Sequence, residues 1–107
     1  MTSDVRIDVF TIFPDLVTDF SSVSLLGKAR DSDLLDLRCH DLRDEASGVH
    51  RSVDDAPFGG GPGMVMSPEP IYASVERHDP PRPLIFLGPA GRTFDQAMAR
   101  DLSLIHI

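Results

Sequence analysis

The stretch "RIDVFTIF" (residues 6–13) is the strongest strand signal in the chain and sets the fold class. It combines β-branched and aromatic residues with partial alternation, which predicts a buried β-strand that ends at Pro14. A second stretch, "LLDLRCHDL" (34–42), alternates apolar and polar residues in the way typical of a half-buried strand. We expect Cys39 on its inward face. The opposite face, which we expect to be solvated, carries Asp36, Arg38 and His40.

Helical signals follow each of these strands. Residues 16–33 place apolar side chains at roughly helical spacing, although Gly27 makes one unbroken helix over this stretch less expected. Residues 66–79 predict a second helix, for which Ser67 supplies the N-cap and Pro68 the first helical position. The chain therefore alternates strands with helices rather than grouping them.

The second half of the chain continues this alternation. The stretch "PLIFLG" (83–88) is wholly apolar, which predicts a strand covered on both faces. A further helix is expected to open at Thr93, which has capping-box spacing to Gln96. The order strand, helix, strand, loop, helix, strand, helix predicts an α/β domain with a mostly parallel sheet and flanking helices.

Composition limits the classes of function. The 107 residues carry a formal net charge of −7, so they lack the excess of Lys and Arg that gives nonspecific affinity for nucleic acids or anionic membranes. The single cysteine, Cys39, excludes an internal disulfide and fits a reducing compartment. No apolar run approaches the ~20 residues of a membrane span, and the start lacks a signal-peptide pattern. The sequence predicts a soluble, cytoplasmic protein with no membrane partner.

The most unusual segment is "VDDAPFGGGPGM" (53–64), which lies in a region predicted to be a long loop. Glycine runs persist where the backbone takes unusual dihedrals or lets a ligand come close. The run follows a predicted loop rather than a strand, and Met64 stands where a P-loop has lysine, so neither phosphate-binding fingerprint fits. Considered without their neighbours, the glycines are explained by a tight turn. With His50, Arg51 and Asp54 nearby, the exposed amides suit the edge of a purine, whereas a metal site is less favoured.

A second backbone-rich loop is "LGPAGR" (87–92), which leaves the carboxyl end of the predicted third strand. Open α/β sheets bind ligands at that edge, where Gly88 and Gly91 would let a flat ligand lie against the main chain. The same pattern is also a common turn. Three basic residues form either a small basic edge or part of a solvated face: Arg38, His40 and Arg43.

Four stretches together resemble the amino-terminal part of one enzyme family. They are "RIDVFTIFPDL", "LLGKAR", "LRDEASGVHRSVDDAPFGGGPGMVMSPEPIY" and "LIFLGPAGRTFDQAMA". In this order, from about Arg6 to Arg100, they resemble the bacterial tRNA (guanine-N1)-methyltransferases, which have a knotted fold of the SPOUT class. Phe58 stands where the family usually has tyrosine. The resemblance implies that residues 1–101 are the amino-terminal part of a SPOUT domain, with the knot incomplete in this chain.

The resemblance also implies a reaction and a set of site residues. It implies that a homodimer transfers methyl from S-adenosylmethionine to the guanine 3′ of the anticodon in tRNA. It implies that the cofactor is bound by Leu87, Gly88, Pro89, Ala90 and Gly91. It implies that guanine and tRNA are contacted by His50, Arg51, Asp54, Gly59, Gly60, Gly61 and Gly63. No metal ligand is assigned, and a requirement for Mg²⁺ stays open.

We expect the chain to end before the family's second cofactor loop, the strand that completes the knot, and the carboxyl-terminal domain. The family's general base is expected beyond residue 107, so no residue is assigned as catalytic, and the 107-residue chain alone is expected to be inactive. Residues 102–107, "LSLIHI", coincide with one reading frame of a sequencing adapter and are expected to be a non-native tail. Two alternatives remain: a non-catalytic module that binds a nucleotide or phosphate through the glycine loop, and a truncated reading frame with an unstable product.

Overall fold

The computed structural model describes residues 5–45, 54–55 and 65–103. The elements, in chain order, are β1 (Val5–Thr11), α1 (Pro14–Phe20), α2 (Ser24–Asp31), β2 (Leu35–Asp41), a 3₁₀ helix (Leu42–Glu45), β3 (Asp54–Asp55), β4 (Val65–Met66), α3 (Pro68–His78) and α4 (Gln96–Leu102). The predicted α/β class is confirmed, because helices lie between and after the strands.

The two strands predicted from residues 6–13 and 34–42 form a parallel pair. The register runs from Val5 opposite Leu35 to Thr11 opposite Asp41. Parallel strands need a crossover connection, and α1 and α2 supply it. Residues that pair in register share a face of the sheet, and side chains alternate between faces along each strand. This pair therefore has two faces of different chemistry, one with Val9 beside Cys39 and one with Phe10 beside His40.

The predicted helical stretch 16–33 is two helices, and the break lies at residues 21–23 rather than at Gly27. Gly27 is buried inside α2, where a Cβ atom would overlap the backbone carbonyl oxygen of Ser22. Gly27 therefore permits a close approach between α2 and the preceding turn. It does not end the helix.

Polar side chains explain the break after α1. The hydroxyls of Ser21 and Ser22 donate to the carbonyl oxygen of Thr18, at 3.1 and 2.6 Å. Arg30 of α2 donates from Nη1 to the hydroxyl oxygens of Ser21 and Ser22, at 3.0 and 3.2 Å. Serine side chains that bond local backbone groups favour helix ends over helix interiors. Arg30, in the last turn of α2, thus connects that turn to the residues at the end of α1.

The third strand predicted at residues 83–88 is wrong. These residues have no regular secondary structure, and the exposed fraction rises from 44% at Leu84 to 95% at Leu87. A strand needs a neighbouring strand for its backbone hydrogen bonds. Among the described residues, none lies beside this stretch, because the two sheets contain only the pairs β1–β2 and β3–β4.

The caps of the last two helices were predicted with different success. Ser67 is the N-cap of α3 and Pro68 its first residue, as expected. The start predicted at Thr93 is wrong, since α4 begins at Gln96 with Asp95 as its N-cap. The Asp95 carboxylate accepts the backbone N–H of Met98 at 2.8 Å, which is the bond that an N-cap side chain makes.

The described part of the chain buries little apolar surface. Among its large apolar side chains, Leu42 of the 3₁₀ helix is buried, at 2% exposed, and α3 packs on that 3₁₀ helix. Large apolar side chains on and beside α1 and α2 are exposed, including Phe20 and Leu25 at 70% and 77%. Within residues 5–45, 54–55 and 65–103, no helix is both long enough and apolar enough to cross a bilayer.

Candidate functional site

The first candidate site surrounds the glycine-rich segment. Residues 56–64 connect β3 to β4, which pair antiparallel with Asp54 opposite Met66 and Asp55 opposite Val65. Residues 54–55, which were predicted to lie in a long loop, thus form a short strand, and the residues between it and the glycine run lie outside the described ones. Asp54 lies in β3, at one end of the connection. The other predicted guanine and tRNA contacts lie outside the described residues: His50, Arg51, Gly59, Gly60, Gly61 and Gly63.

The second candidate site is the loop at residues 87–91. All five residues predicted to bind the cofactor are exposed: Leu87, Gly88, Pro89, Ala90 and Gly91. A Cβ atom placed on Gly88 would meet nothing within 4 Å, and one on Gly91 would come no closer than 3.8 Å to the carbonyl oxygen of Gly88. The described residues leave the main chain of this loop accessible to a ligand, but they do not enclose a ligand bound there.

An open cavity of about 250 Å³ follows this loop directly. It lies at the amino end of α4, and sequence reasoning did not assign it. Its lining combines one guanidinium and two carboxylates with smaller and apolar side chains: Arg92, Thr93, Asp95, Ala97, Met98 and Asp101. One of the two carboxylates that line the cavity, that of Asp95, is therefore already engaged in capping α4.

Helix α3 links the two candidate sites, because it begins just after β4 and ends nine positions before Leu87 in the chain. Its carboxyl end is tied to the rest of the molecule. Arg6 of β1 donates from Nη2 to the carbonyl oxygen of His78 at 3.2 Å. Arg77 pairs through Nη1 with the Glu45 carboxylate at 2.7 Å. The position of α3 therefore relates the glycine segment to the 87–91 loop.

A buried polar cluster beneath α3 was missed by sequence reasoning. Asp8 of β1 has a fully buried side chain, paired with Arg6 Nε at 2.8 Å and with His40 Nε2 at 2.7 Å. The ring of His40 stacks on that of His78, with centroids 3.7 Å apart and planes 20° apart. Phe10 flanks both rings, at 4.9 Å from His40 and 6.3 Å from His78. The cluster connects β1, β2 and α3.

The prediction that His40 lies on a solvated face is therefore wrong. Its side chain is only 11% exposed, because the ring of His78, at the carboxyl end of α3, stacks on it and Asp8 pairs with it. The sequence did hold one signal, an aspartate at position 8 within the largely apolar residues 7–13. A carboxylate in such a place requires a partner. The register, which sequence alone did not supply, places Asp8 opposite Arg38, so that His40, two residues further along the same face, comes within reach of the Asp8 carboxylate.

The interactions of this cluster shift two pKa values. Burial raises the pKa of Asp8, but hydrogen bonds from Arg6 and His40 and their charges outweigh it, so the pKa lies below its ordinary 3.8. The pKa of His78 lies below its ordinary 6.5, first because of burial and then because of the nearby charges of His40 and Arg77. Asp8 is thus held as a carboxylate, and His78 favours its neutral form.

The basic residues of β2 and the 3₁₀ helix do not present an unpaired basic edge. Arg38 pairs with Asp36 at 2.8 Å, and His40 pairs with Asp8. Arg43 donates from Nη1 to the carbonyl oxygen of Ile12 at 2.6 Å. In the described ranges, no group of three or more His, Cys, Asp or Glu side chains is arranged to hold a metal ion.

Comparison with known proteins places this fold in a family. A model of the family described as tRNA (guanine-1)-methyltransferase TrmD matches residues 5–106. The chain belongs to this family. The resemblance inferred from the four sequence stretches is thus confirmed.

Individual relatives agree with the family match. The chain is 45% identical over 106 residues to a tRNA (guanine-N(1)-)-methyltransferase of Myxococcus xanthus, covering 95% of this chain and 42% of that protein. It is 49% identical over 102 residues to one of Clavibacter sepedonicus, covering 92% and 44%. The crystal structure of a tRNA (m1G37) methyltransferase from Aquifex aeolicus matches with a TM-score of 0.63 and 37% identity, over 72% of this chain and 36% of that one. The chain thus spans about two fifths of the length of these relatives.

Proposed function

We propose that this protein, at the full length of its relatives, methylates N1 of the guanine 3′ of the anticodon in tRNA. The family match over residues 5–106 carries the proposal. Methyl transfer to N1 displaces the proton on that nitrogen, so the enzyme needs a general base within hydrogen-bond reach of it. We assign that base to the part of the protein beyond residue 107. The 107-residue chain alone is accordingly proposed to be inactive.

S-adenosylmethionine is proposed as the methyl donor, which supplies an electrophilic methyl group. Leu87, Gly88, Pro89, Ala90 and Gly91 are proposed to bind it. The open space at Gly88, where an added Cβ atom would meet nothing within 4 Å, supports this assignment because a flat ligand can lie against bare main chain there. The surrounding walls would come from other parts of the protein.

The glycine-rich segment is proposed to contact the target guanine and its tRNA. The contacts assigned to it are His50, Arg51, Asp54, Gly59, Gly60, Gly61 and Gly63. The β3–β4 pairing supports this role, since it holds Asp54 and Met66 opposite each other and so fixes both ends of the connection. A flipped base could then approach the glycine backbone closely, at the cost of unstacking the nucleotide.

The architecture proposed for the whole protein is a cytoplasmic homodimer with a completed SPOUT knot. Residues 1–101 would form the amino-terminal part of that domain, and residues 102–107 would be a non-native tail. The exposed apolar side chains on α1, α2 and the 83–88 stretch support further packing, because they leave a large apolar area uncovered. No metal site is proposed.

Methyl transfer tests this proposal directly. The full-length gene product is incubated with tRNA transcript and S-adenosylmethionine that carries a labelled methyl group, and the nucleosides are identified by mass spectrometry. We expect N1-methylguanosine from a transcript with guanine 3′ of the anticodon and none from a transcript with adenine there. A protein that binds the nucleotide without transferring methyl would instead support the non-catalytic module.

A matched pair of variants tests the cofactor loop. Gly88→Val fills the open space at the main chain and should raise the KM for S-adenosylmethionine while leaving the thermal transition unchanged. Ala97→Leu, on exposed α4 outside the loop, serves as the control because it also adds three carbon atoms, and it should leave that KM unchanged. An unchanged KM in Gly88→Val would remove residues 87–91 from the cofactor site.

A further inference from the structure

The buried cluster at the carboxyl end of α3 brings two imidazole rings and a buried carboxylate together. The imidazole rings of His40 and His78 are stacked with their centroids 3.7 Å apart, so a proton on His78 would place its charge directly against the His40 ring. His40 also contacts the buried carboxylate of Asp8 at 2.7 Å, so a proton on His40 has an acidic partner. A proton on His78 has no comparable partner in the cluster.

The charged groups around His78 act on its protonation in both directions. From β1, Arg6 binds the carbonyl oxygen of His78, and Asp8 is already paired with Arg6 and His40. From β2, His40 lies ring to ring. From the 3₁₀ helix, Glu45 is bound to Arg77 of α3 itself, and Asp44 also acts on Arg77. The carboxylates of Glu45 and Asp8 favour a proton on His78, but burial and the charges of His40 and Arg77 outweigh them.

We infer that the stacked His40–His78 pair is a proton-sensitive clasp, which holds the carboxyl end of α3 on β1 and β2 when His78 is neutral and loosens it when His78 takes a proton. The direction follows from the lowered pKa of His78. Because the docked form binds the proton less readily than the undocked form, docking is strongest above the ordinary value of 6.5 and weakens as the pH falls through the lowered value.

Loosening α3 has a consequence for both candidate sites. The helix follows β4 directly and precedes the 87–91 loop, so a shift of its carboxyl end changes the spacing between the two. This consequence rests on the proposed function. The clasp itself does not, because the docking of α3 is measured without substrate or methyl transfer.

Hydrogen exchange on the natural gene product, followed by mass spectrometry, tests the clasp. After correction for intrinsic rates, residues 72–78 should exchange several-fold faster at about pH 5 than at about pH 7.5, while β1 changes little. His78→Phe keeps an aromatic ring on His40 but cannot take a proton, so the pH difference should vanish. Equal protection at both pH values, or a pH difference that persists in His78→Phe, would overturn the inference.

Two further measurements keep the test decisive. Arg77→Gln removes the exposed pair with Glu45 but leaves both imidazoles, so it should keep the pH difference; loss of that difference would move the effect from the stack to the ion pair. If His78→Phe fails to fold, the ring signals of His40 and His78 in the unsubstituted protein are followed by NMR. We expect the exchange of α3 to change with the same midpoint as His78, and a separate midpoint would refute the clasp.

Discussion

Residues 6–13 and residues 83–88 are two apolar stretches that both predict strands, yet only the first forms one. β1 pairs with β2 along all seven of its residues, from Val5 to Thr11. The 83–88 stretch has no strand, and Phe86 and Leu87 are 75% and 95% exposed. The difference shows that an apolar stretch becomes a strand only where a neighbour satisfies its backbone and covers its side chains.

The two regions also differ in how their side chains are held. Around β1, Asp8 and its partners connect the two strands to α3, and Leu42 is buried beneath that helix. Residues 83–91 present their side chains and glycines to solvent. Equal chemical changes should therefore have unequal effects in the two regions.

Truncating a leucine in each region should give the largest contrast. Leu42→Ala removes a buried side chain and should lower the free energy of unfolding by about 3 kcal/mol. Leu87→Ala, at a position that is 95% exposed, should leave it nearly unchanged. Chemical denaturation of both variants measures the two values. Equal losses would show that residues 83–88 are packed as tightly as the 3₁₀ helix.

Removing the buried carboxylate should have the next largest effect. Asp8→Ala leaves Arg6 and His40 without their partner and should cost about 2 kcal/mol, less than a fully buried pair because Arg6 is partly exposed. Asp36→Ala, the control, removes an exposed pair with Arg38 and should change stability little. Because the pKa of Asp8 is lowered, its contribution is complete above 3.8 and is lost as the pH falls through the lowered value. Denaturation at a series of pH values checks that slope.

Two glycines sharpen the comparison further. Gly27→Ala places a Cβ atom against the carbonyl oxygen of Ser22, so α2 must shift, and we expect a loss of about 1.5 kcal/mol. Gly88→Ala has open space around the new methyl group and should not destabilise the protein. Thermal or chemical unfolding of the two variants measures both changes in stability. A neutral Gly27→Ala would contradict the close approach between α2 and the preceding turn.

The sequence predicted most of what local patterns control. The two paired strands, the helix after Ser67 and the family were all evident from residues 6–13, 34–42 and 66–79 together with the glycine stretches. It failed where a distant partner decides the outcome. His40 alternates as a solvated residue should, yet most of its side chain is covered because the distant His78 stacks on it, and residues 83–88 are apolar yet unpaired. Of the predicted site, residues 87–91 are seen as an exposed loop, and Asp54 is seen in β3.

The cap of α4 should give the smallest effect. Asp95→Ala removes the bond that its carboxylate accepts from Met98 and should destabilise α4 by about 1 kcal/mol. Thr93→Ala, at the position where sequence spacing placed the cap, should change little. Amide exchange at Met98 measures both, and the opposite ranking would restore the Thr93 capping box.

The most direct test of the contrast between the two regions is amide hydrogen exchange on the 107-residue chain by itself. We predict slow exchange along β1 and β2, whose backbone groups are paired, and near-intrinsic exchange at residues 84–87, which lie outside any strand. Equal protection of the two stretches, whether both protected or both unprotected, would contradict the conclusion that pairing within this chain distinguishes them.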